Sequence, residues 1–154
     1  MALKERLVLP GEAKTWPGEL PVQSLYTAGA AGDRFLKTLK EKGQFTGAVC
    51  KACNEVYLPP KLYCEKCMAE LKDWVRVGPD GILESWTELH VGLDGKRLEK
   101  PELVGLIRLD GATTSIVHRL SEKPCCIGME VTAVLKPAAK REGAITDILY
   151  FEPK

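Results

Sequence analysis

The residues with the clearest chemistry in this sequence are four cysteines that form two closely spaced pairs. Cys50 and Cys53 make one Cys-x2-Cys knuckle, Cys64 and Cys67 make a second, and ten residues separate the knuckles. Each knuckle aims two thiolates at one point, so two knuckles together complete a tetrahedron of sulfur ligands. The alternative of four unrelated buried cysteines requires both spaced pairs to fall close together by chance. The spacing predicts one metal site, and zinc is the expected ion.

All four positions of this predicted site are filled by protein sulfur. A zinc ion that activates water keeps an open ligand position, and none is left here. We therefore expect the metal to stabilise residues 44–71, a stretch too short and too polar to form a core alone. Iron in a rubredoxin-like site uses the same four ligands, so iron remains an alternative to structural zinc.

The two remaining cysteines and the two histidines offer little further chemistry. Cys125 and Cys126 are neighbours, and a bridge between neighbours strains the backbone, so we expect two buried or half-buried thiols. His90 ends one predicted strand and His118 lies within another, where ordinary strand residues are more common than catalytic bases. The chain contains no Gly-x-Ser-x-Gly elbow and no Gly-x4-Gly-Lys loop. We predict no catalytic residues and therefore no enzyme activity of the chain by itself.

The composition is that of a globular protein without a strong overall field. The chain has 154 residues, of which 45% are hydrophobic and 28% charged, with a formal net charge of +1. Lys4, Glu5 and Arg6 interrupt any export signal, and no apolar run approaches the roughly 20 residues that span a bilayer. We expect a cytoplasmic protein without a membrane span, whose reduced cysteines serve metal binding before disulfides.

The N-terminal third is expected to be extended with short helices. Proline and glycine interrupt residues 1–32, although Pro21 can start a helix over 22–31. Asp33 is the expected cap of a second helix, and Gly43 is its expected stop. The apolar face of that helix is formed by Phe35, Leu36 and Leu39.

The C-terminal half shows the alternation of a β-structure. Five strands are predicted, at 82–90, 102–110, 113–120, 129–136 and 144–151. The pair Asp110-Gly111 is a strong hairpin signal, and a charged connection at 92–100 follows the first strand. Five strands in so short a stretch favour a closed OB barrel. The expected fold is mainly β with N-terminal helices, divided into a helical segment (1–43), a zinc ribbon (44–75) and an OB-fold (76–154).

Further motifs accompany the cysteines in a fixed order. The run Leu58-Pro59-Pro60-Lys61 lies between the knuckles, and the run Gly81-Ile82-Leu83-Glu84-Ser85-Trp86-Thr87 follows them. The helix with Phe35, the run Leu109-Asp110-Gly111 and the run Ile127-Gly128-Met129-Glu130-Val131 complete the pattern. In this order the chain resembles the DUF35 family, whose members join an N-terminal helical segment, a rubredoxin-like zinc ribbon and a C-terminal OB-fold. The resemblance covers about residues 33–151.

Three positions depart from the usual pattern of that family. Asn54 follows the second cysteine in place of glycine, Glu65 follows the third in place of proline, and Lys61 replaces an arginine. Asparagine tolerates the left-handed conformation that glycine would take, so we expect the first knuckle to keep its shape. Lysine keeps the charge of arginine but loses its planar fork.

The resemblance implies a function that the residues alone do not. It implies binding of acyl-CoA and association with thiolase and hydroxymethylglutaryl-CoA (HMG-CoA) synthase-type enzymes, as a scaffold of the mevalonate route in archaea. The CoA phosphates require basic side chains, which the chain could supply from Lys61, Lys66, Arg76, Lys96 and Arg97. Each of these is more typical of ordinary solvated charge, so the ligand site stays unassigned.

Nucleic-acid binding is the competing function, because zinc ribbons and OB-folds both serve it. An OB surface for single strands offers stacking aromatic side chains on its second and third strands. The predicted strands 102–110 and 113–120 contain none, and Trp86 on the first strand is more typical of a core or interface residue. The near-neutral net charge also gives this alternative no support.

Overall fold

The elements of the fold follow the expected order from helix to ribbon to barrel. The structure is a computed structural model that describes residues 27–92, 94–124 and 126–154. Within these ranges the elements are α1 (Gly29–Lys42), β1 (Phe45–Cys50), β2 (Glu55–Tyr57), β3 (Asp73–Val77), β4 (Asp80–Val91), β5 (Arg97–Leu109), β6 (Ile116–Arg119), β7 (Glu130–Leu135) and β8 (Ile148–Pro153). Short 3-10 turns occupy Ala138–Lys140 and Ile145–Asp147. The mainly β class is confirmed.

Helix α1 begins earlier than predicted. Its first residue is Gly29, four residues before the expected cap Asp33, and Ala28 at the N-cap makes no side-chain capping bond. The buried face of the helix is formed by Ala31, Phe35 and Leu39. These residues recur every four positions, and Ala31 extends the packed face on the N-terminal side of Asp33. The helix therefore begins before Asp33. The stop is as predicted, because Gly43 has a φ of 61° and donates its N–H to Leu39 O at 2.9 Å.

The first half of the helix predicted at 22–31, residues 22–26, lies outside the described residues. The last three positions of this predicted helix belong to α1 and do not form a separate element. Among the described residues, α1 and the 3-10 turns are too short or too polar to cross a bilayer.

The ribbon is built on a small antiparallel sheet of order β2-β1-β3. Cys50 of β1 lies opposite Glu55 of β2, and Phe45 at the other end of β1 lies opposite Val77 of β3. The short hairpin β1-β2 agrees with the loops and hairpins expected here. Strand β3 was not predicted, because only Val77 of its five residues is buried and the alternation of its side chains is weak.

The barrel contains the five predicted strands in the order β6-β5-β4-β7-β8. A parallel bridge between Leu120 and Phe151 joins the two ends of the sheet. Two strands start four or more residues away from the predicted position, and the other bounds differ by one to three residues. Strand β5 starts at Arg97, inside the predicted charged connection, because β4 and β5 continue as a hairpin outside the barrel where charged side chains face water. Strand β8 starts at Ile148 and not at 144, because a 3-10 turn occupies Ile145–Asp147.

One hydrophobic core joins the helix, the ribbon sheet and the barrel. Its buried members are Phe35, Leu39, Phe45, Leu58, Val77, Leu83, Ile107, Leu109, Ala112, Ile116, Leu120, Val131, Ile148 and Phe151. Hydrogen bonds add to this packing: Thr113 N donates to Val56 O at 2.9 Å, and Leu58 N donates to Thr114 Oγ1 at 2.7 Å. The ribbon is therefore held against the barrel by both apolar and polar contacts. The exact division into segments at 43/44 and 75/76 stays a prediction.

Candidate metal centre

The two cysteine pairs meet at one end of the ribbon. Cys50 is the last residue of β1, Cys53 lies in the turn that follows, and Cys64 and Cys67 lie in a second turn after β2. The four sulfur atoms all lie within 4.8 Å of one another. Cys50 Sγ and Cys67 Sγ are 3.7 Å apart. A tetrahedral zinc ion with Zn–S bonds of about 2.3 Å places neighbouring sulfurs about 3.8 Å apart, so the cluster has the size that zinc requires.

Both knuckles use the same backbone conformation at the residue that follows their second cysteine. Asn54 has a φ of 55°, which confirms the left-handed turn expected there. Met68 holds the equivalent position after Cys67 with a φ of 59°, and its N–H donates to Cys64 O at 2.9 Å. Sequence reasoning missed Met68 because methionine is not a residue type that signals positive φ. The sequence signal for its positive φ was its position directly after the second cysteine of a knuckle, which it shares with Asn54.

The cluster is buried on one side and open on the other. Cys50 and Cys64 are buried, Cys53 is half-buried and Cys67 is exposed. A hydrogen bond with the Tyr57 hydroxyl, 3.2 Å from Cys64 Sγ, is the main cause that lowers the pKa of the Cys64 thiol to about 6.

The pKa values of two other thiols of the cluster, Cys50 and Cys53, are raised. A hydrogen bond with Cys67 and burial are the main causes that raise the pKa of Cys53 to about 12. Four neighbouring thiolates would repel one another, and a divalent cation removes that repulsion. The donor set therefore fits a soft divalent metal, and Cys50, Cys53, Cys64 and Cys67 are the residues that could hold it. Bound there, zinc would cross-link the two knuckles.

Two lysines of the ribbon are engaged with nearby carboxylates. Lys61 pairs with Glu65 and also lies 5.6 Å from the centre of the Tyr57 ring. Lys66 pairs with Glu55. Two of the three positions that depart from the family pattern, 61 and 65, thus contact each other, and Lys61 contributes to the local structure of the ribbon.

The other candidate cations for a CoA phosphate lie on different elements. Lys96 Nζ is 3.7 Å from Asp94 Oδ2 in the turn between β4 and β5, and Arg97 is exposed at the start of β5. Arg76 is exposed on β3 of the ribbon sheet. The basic side chains singled out in the sequence therefore come from three regions of the chain and form no single defined group.

The histidines occupy structural settings. His90 Nε2 lies 3.5 Å from Glu88 Oε2 on the same strand. His118 packs edge-on against the ring of Phe151, with ring centres 5.9 Å apart, and burial lowers its pKa. Cys126 is exposed, which corrects the expectation of a buried or half-buried thiol, and Cys125 lies outside the described residues.

Two solved structures share this fold. A crystal structure of a protein of unknown function from the DUF35 family of Sulfolobus solfataricus matches with a TM-score of 0.63 and 21% identity, over 82% of this chain and 87% of that one. The structure described as an Ltp2-ChsH2(DUF35) aldolase matches with a TM-score of 0.56 and 23% identity, over 79% of this chain and 93% of that one. Among curated proteins, none matches the chain.

Two family models match adjacent parts of the sequence. The ChsH2 rubredoxin-like zinc ribbon domain matches residues 39–71, and the ChsH2 C-terminal OB-fold domain matches residues 74–136, together more than half of the chain. The chain belongs to the DUF35 family. This DUF35 protein thus carries a rubredoxin-like zinc ribbon whose four cysteines are positioned for a metal ion, in agreement with the structural zinc expected from the sequence.

Proposed function

We propose that this DUF35 protein is a non-catalytic accessory subunit that binds acyl-CoA and scaffolds thiolase and HMG-CoA synthase-type enzymes. Its membership of the DUF35 family carries the proposal. The Ltp2-ChsH2(DUF35) aldolase supports it, because there a DUF35 protein is described together with a second protein in an enzyme. The accessory role, the acyl-CoA ligand and the enzyme partners are parts that can be tested separately.

The metal centre supports an accessory role. We assign Cys50, Cys53, Cys64 and Cys67 as the ligands of one structural zinc ion. Four thiolates leave no position for a water or a substrate, so such an ion holds the ribbon together without activating a nucleophile. The settings of the two histidines agree with this, since His90 pairs with Glu88 and His118 packs on Phe151.

A groove on the barrel supports the acyl-CoA part of the proposal. It encloses about 410 Å³ between β6 and the start of β8, within the size range of ligand sites. Its walls are mostly apolar and are formed by Val104, Val117, Ile145, Ile148 and Leu149. His118, Arg119 and Thr146 also line the groove and supply its polar groups. An apolar acyl or pantetheine chain would suit this combination.

Calorimetric titration tests the ligand directly. The zinc-loaded chain is titrated with CoA and with acetoacetyl-CoA, and we expect saturable binding of the acylated ligand. Val117→Glu places a charge in the groove wall and should weaken binding at least tenfold, about 1.4 kcal/mol. The matched control is Val75→Glu, an exposed valine on β3 of the ribbon sheet, which should bind like the wild type. Absence of binding, or an equal loss in both variants, would contradict this part.

The described strands that would bind bases in an OB-fold do not support the alternative of nucleic-acid binding. Strands β5 and β6 carry no Phe, Tyr or Trp over Arg97–Leu109 and Ile116–Arg119. Trp86 on β4 packs partly against the core, and Lys123 Nζ lies 5.3 Å from the centre of its ring. A base could stack there only after that lysine moved away.

A further inference from the structure

Strands β4 and β5 continue beyond the barrel as a hairpin. On its outer side β4 pairs with β7 only from Asp80 to Ile82, yet it runs on to Val91. Strand β5 pairs with β6 only between Val104 and Ile107, although it begins at Arg97. Within the part of the chain that the structure describes, no strand pairs with the outer edges of this hairpin. Each edge therefore presents backbone groups that a further strand could bond.

The two edges of the hairpin differ in sequence. The β5 edge contains Lys100, Pro101 and Glu102, and a proline without an N–H together with flanking charges blocks strand addition. The β4 edge, residues 85–91, contains neither proline nor lysine nor arginine. It instead exposes two apolar side chains, Leu89 at 41% and Val91 at 55% of their surface. The β4 edge thus lacks the proline and the lysine that block pairing on the β5 edge, and the β4–β5 ladder shifts register between Leu89 and Val91.

We infer that the β4 edge pairs with the same edge of a second copy of this chain, in an antiparallel register centred on Leu89. In this register Thr87 of one copy lies opposite Val91 of the other. Glu88 of one copy lies opposite His90 of the other, an opposite-charge pair when the imidazole is protonated and a hydrogen-bonding pair when it is neutral. The two-fold symmetry forms each of these pairs twice.

The charges on the β4 edge favour the register centred on Leu89 over the adjacent register centred on Glu88. Centring the pairing on Glu88 would place two identical carboxylates opposite each other, which is unfavourable. In the register centred on Leu89, both leucines and both Val91 side chains cover one another on the same face of the joined sheet. Lys123 Nζ, 2.8 Å from Glu88 Oε1, adds a cation on the opposite face. Apolar burial and charge pairing thus favour the same alignment.

The inferred dimer is independent of the function proposed above. It involves no zinc ligand, no acyl-CoA and no partner enzyme, so failure of either proposal leaves the other open to its own test. A seven-residue edge with two apolar side chains per copy is small, and we expect a weak, concentration-dependent dimer.

Sedimentation equilibrium of the zinc-loaded full chain tests the inference. The wild type should approach twice the 17.0 kDa mass of one chain as its concentration rises into the micromolar range. The double variant Leu89→Lys, Val91→Lys should stay at 17.0 kDa with an unchanged circular dichroism spectrum. The matched control is Val117→Lys, a change at a 66% exposed valine on β6, and it should dimerise like the wild type.

Two further variants test the register. His90→Glu places a carboxylate opposite Glu88 and should raise the dimer dissociation constant at least tenfold, whereas His90→Lys places a cation there and should retain the dimer. A wild type that stays monomeric would overturn the inference. So would a dimer that survives the two lysines, or one that Val117→Lys dissociates equally.

Discussion

The hydroxyl oxygen of Tyr57 lies 3.2 Å from the sulfur of Cys64, and both residues are buried in the ribbon. The same hydroxyl accepts the N–H of Glu65 at 3.3 Å. The Tyr57 hydroxyl can therefore donate its own proton in a hydrogen bond to the Cys64 sulfur. A tyrosine in this position orients one zinc ligand and stabilises it as a thiolate, in the way that residues behind a metal ligand commonly do.

Tyr57→Phe should weaken zinc binding while preserving the fold. The phenyl ring keeps the packing but removes the hydrogen bond to Cys64, and loss of such a bond weakens metal affinity about tenfold to a hundredfold. Competition for zinc against a chromophoric chelator measures the change. Tyr63→Phe, at a 58% exposed ring between the knuckles, is the matched control and should bind zinc normally. Equal affinities for all three proteins would show that the hydroxyl has no role.

Cys64→Ser should unfold the ribbon and abolish function through misfolding. Serine is a poor ligand for zinc, and without the metal residues 44–71 lose the cross-link between their knuckles. Limited proteolysis followed by mass spectrometry should find new cleavage sites in this stretch. Cys126→Ser, at an exposed cysteine outside the metal cluster, should keep the wild-type pattern. Removal of zinc with a chelator at neutral pH should reproduce the Cys64→Ser pattern, and an unchanged pattern after verified metal loss would contradict the structural role.

Asp147 should make the stability of the protein depend on pH in the acid range. Its carboxylate is buried and accepts the N–H groups of Glu142, Gly143 and Ala144, the shortest at 2.7 Å. Burial alone would raise the pKa of Asp147, but these hydrogen bonds and Lys136 outweigh it, and the pKa is lowered. The carboxylate therefore contributes stability that is complete above the unfolded value of 3.8 and is lost as pH falls through the folded value.

Asp147→Asn tests this contribution. We expect the free energy of unfolding at pH 7 to fall by about 2 kcal/mol, because an amide cannot accept all three N–H groups as a carboxylate does. The difference from the wild type should begin to shrink below about pH 4, where Asp147 takes up a proton in the unfolded chain, and should vanish at the lower pH at which the folded carboxylate is protonated. Urea denaturation at both pH values measures it. Asp94→Asn, at an exposed carboxylate, should cost little at either pH, and a pH-independent gap for Asp147→Asn would refute the assignment.

Thr114→Val should loosen the ribbon from the barrel. The Thr114 hydroxyl accepts Leu58 N–H at 2.7 Å and donates to Leu58 O at 2.9 Å, and Leu58 is fully buried. Valine keeps the shape but leaves both backbone groups unpaired, so we expect a loss of about 2 kcal/mol in the free energy of unfolding. Thermal denaturation measures the effect, with Thr146→Val at an exposed threonine as control. A melting curve equal to that of the control would contradict the coupling.

Local patterns predicted the parts of the fold whose causes are local. The spacing of the cysteine pairs brought four sulfurs together, and Gly43 and Asn54 adopted the left-handed conformations that their residue types favour. The five barrel strands follow from the alternation of buried and exposed side chains, as in Val131, which faces the core between exposed or half-exposed neighbours.

The remaining features depend on tertiary contacts that no local pattern carries. Asp147 is followed by apolar residues and preceded by a loop, but its burial depends on backbone N–H groups that fold back onto it. In the sequence Tyr57 looks like an ordinary strand residue, and its role depends on the second knuckle, which places Cys64 against its hydroxyl. The early start of α1 depends on Ala31, whose burial requires the packed helix. In each case the partner residue, and not the residue itself, decides the role.

The most direct test of the central proposal is to recover this protein with its natural partners. The tagged chain is purified from its own host after nuclease treatment, and the bound proteins are identified by mass spectrometry. We predict that a thiolase and an HMG-CoA synthase-type enzyme are recovered with the wild type and with Cys126→Ser, and that both are lost with Cys64→Ser. Recovery of RNA or DNA in untreated samples, with neither enzyme present, would contradict the scaffold function.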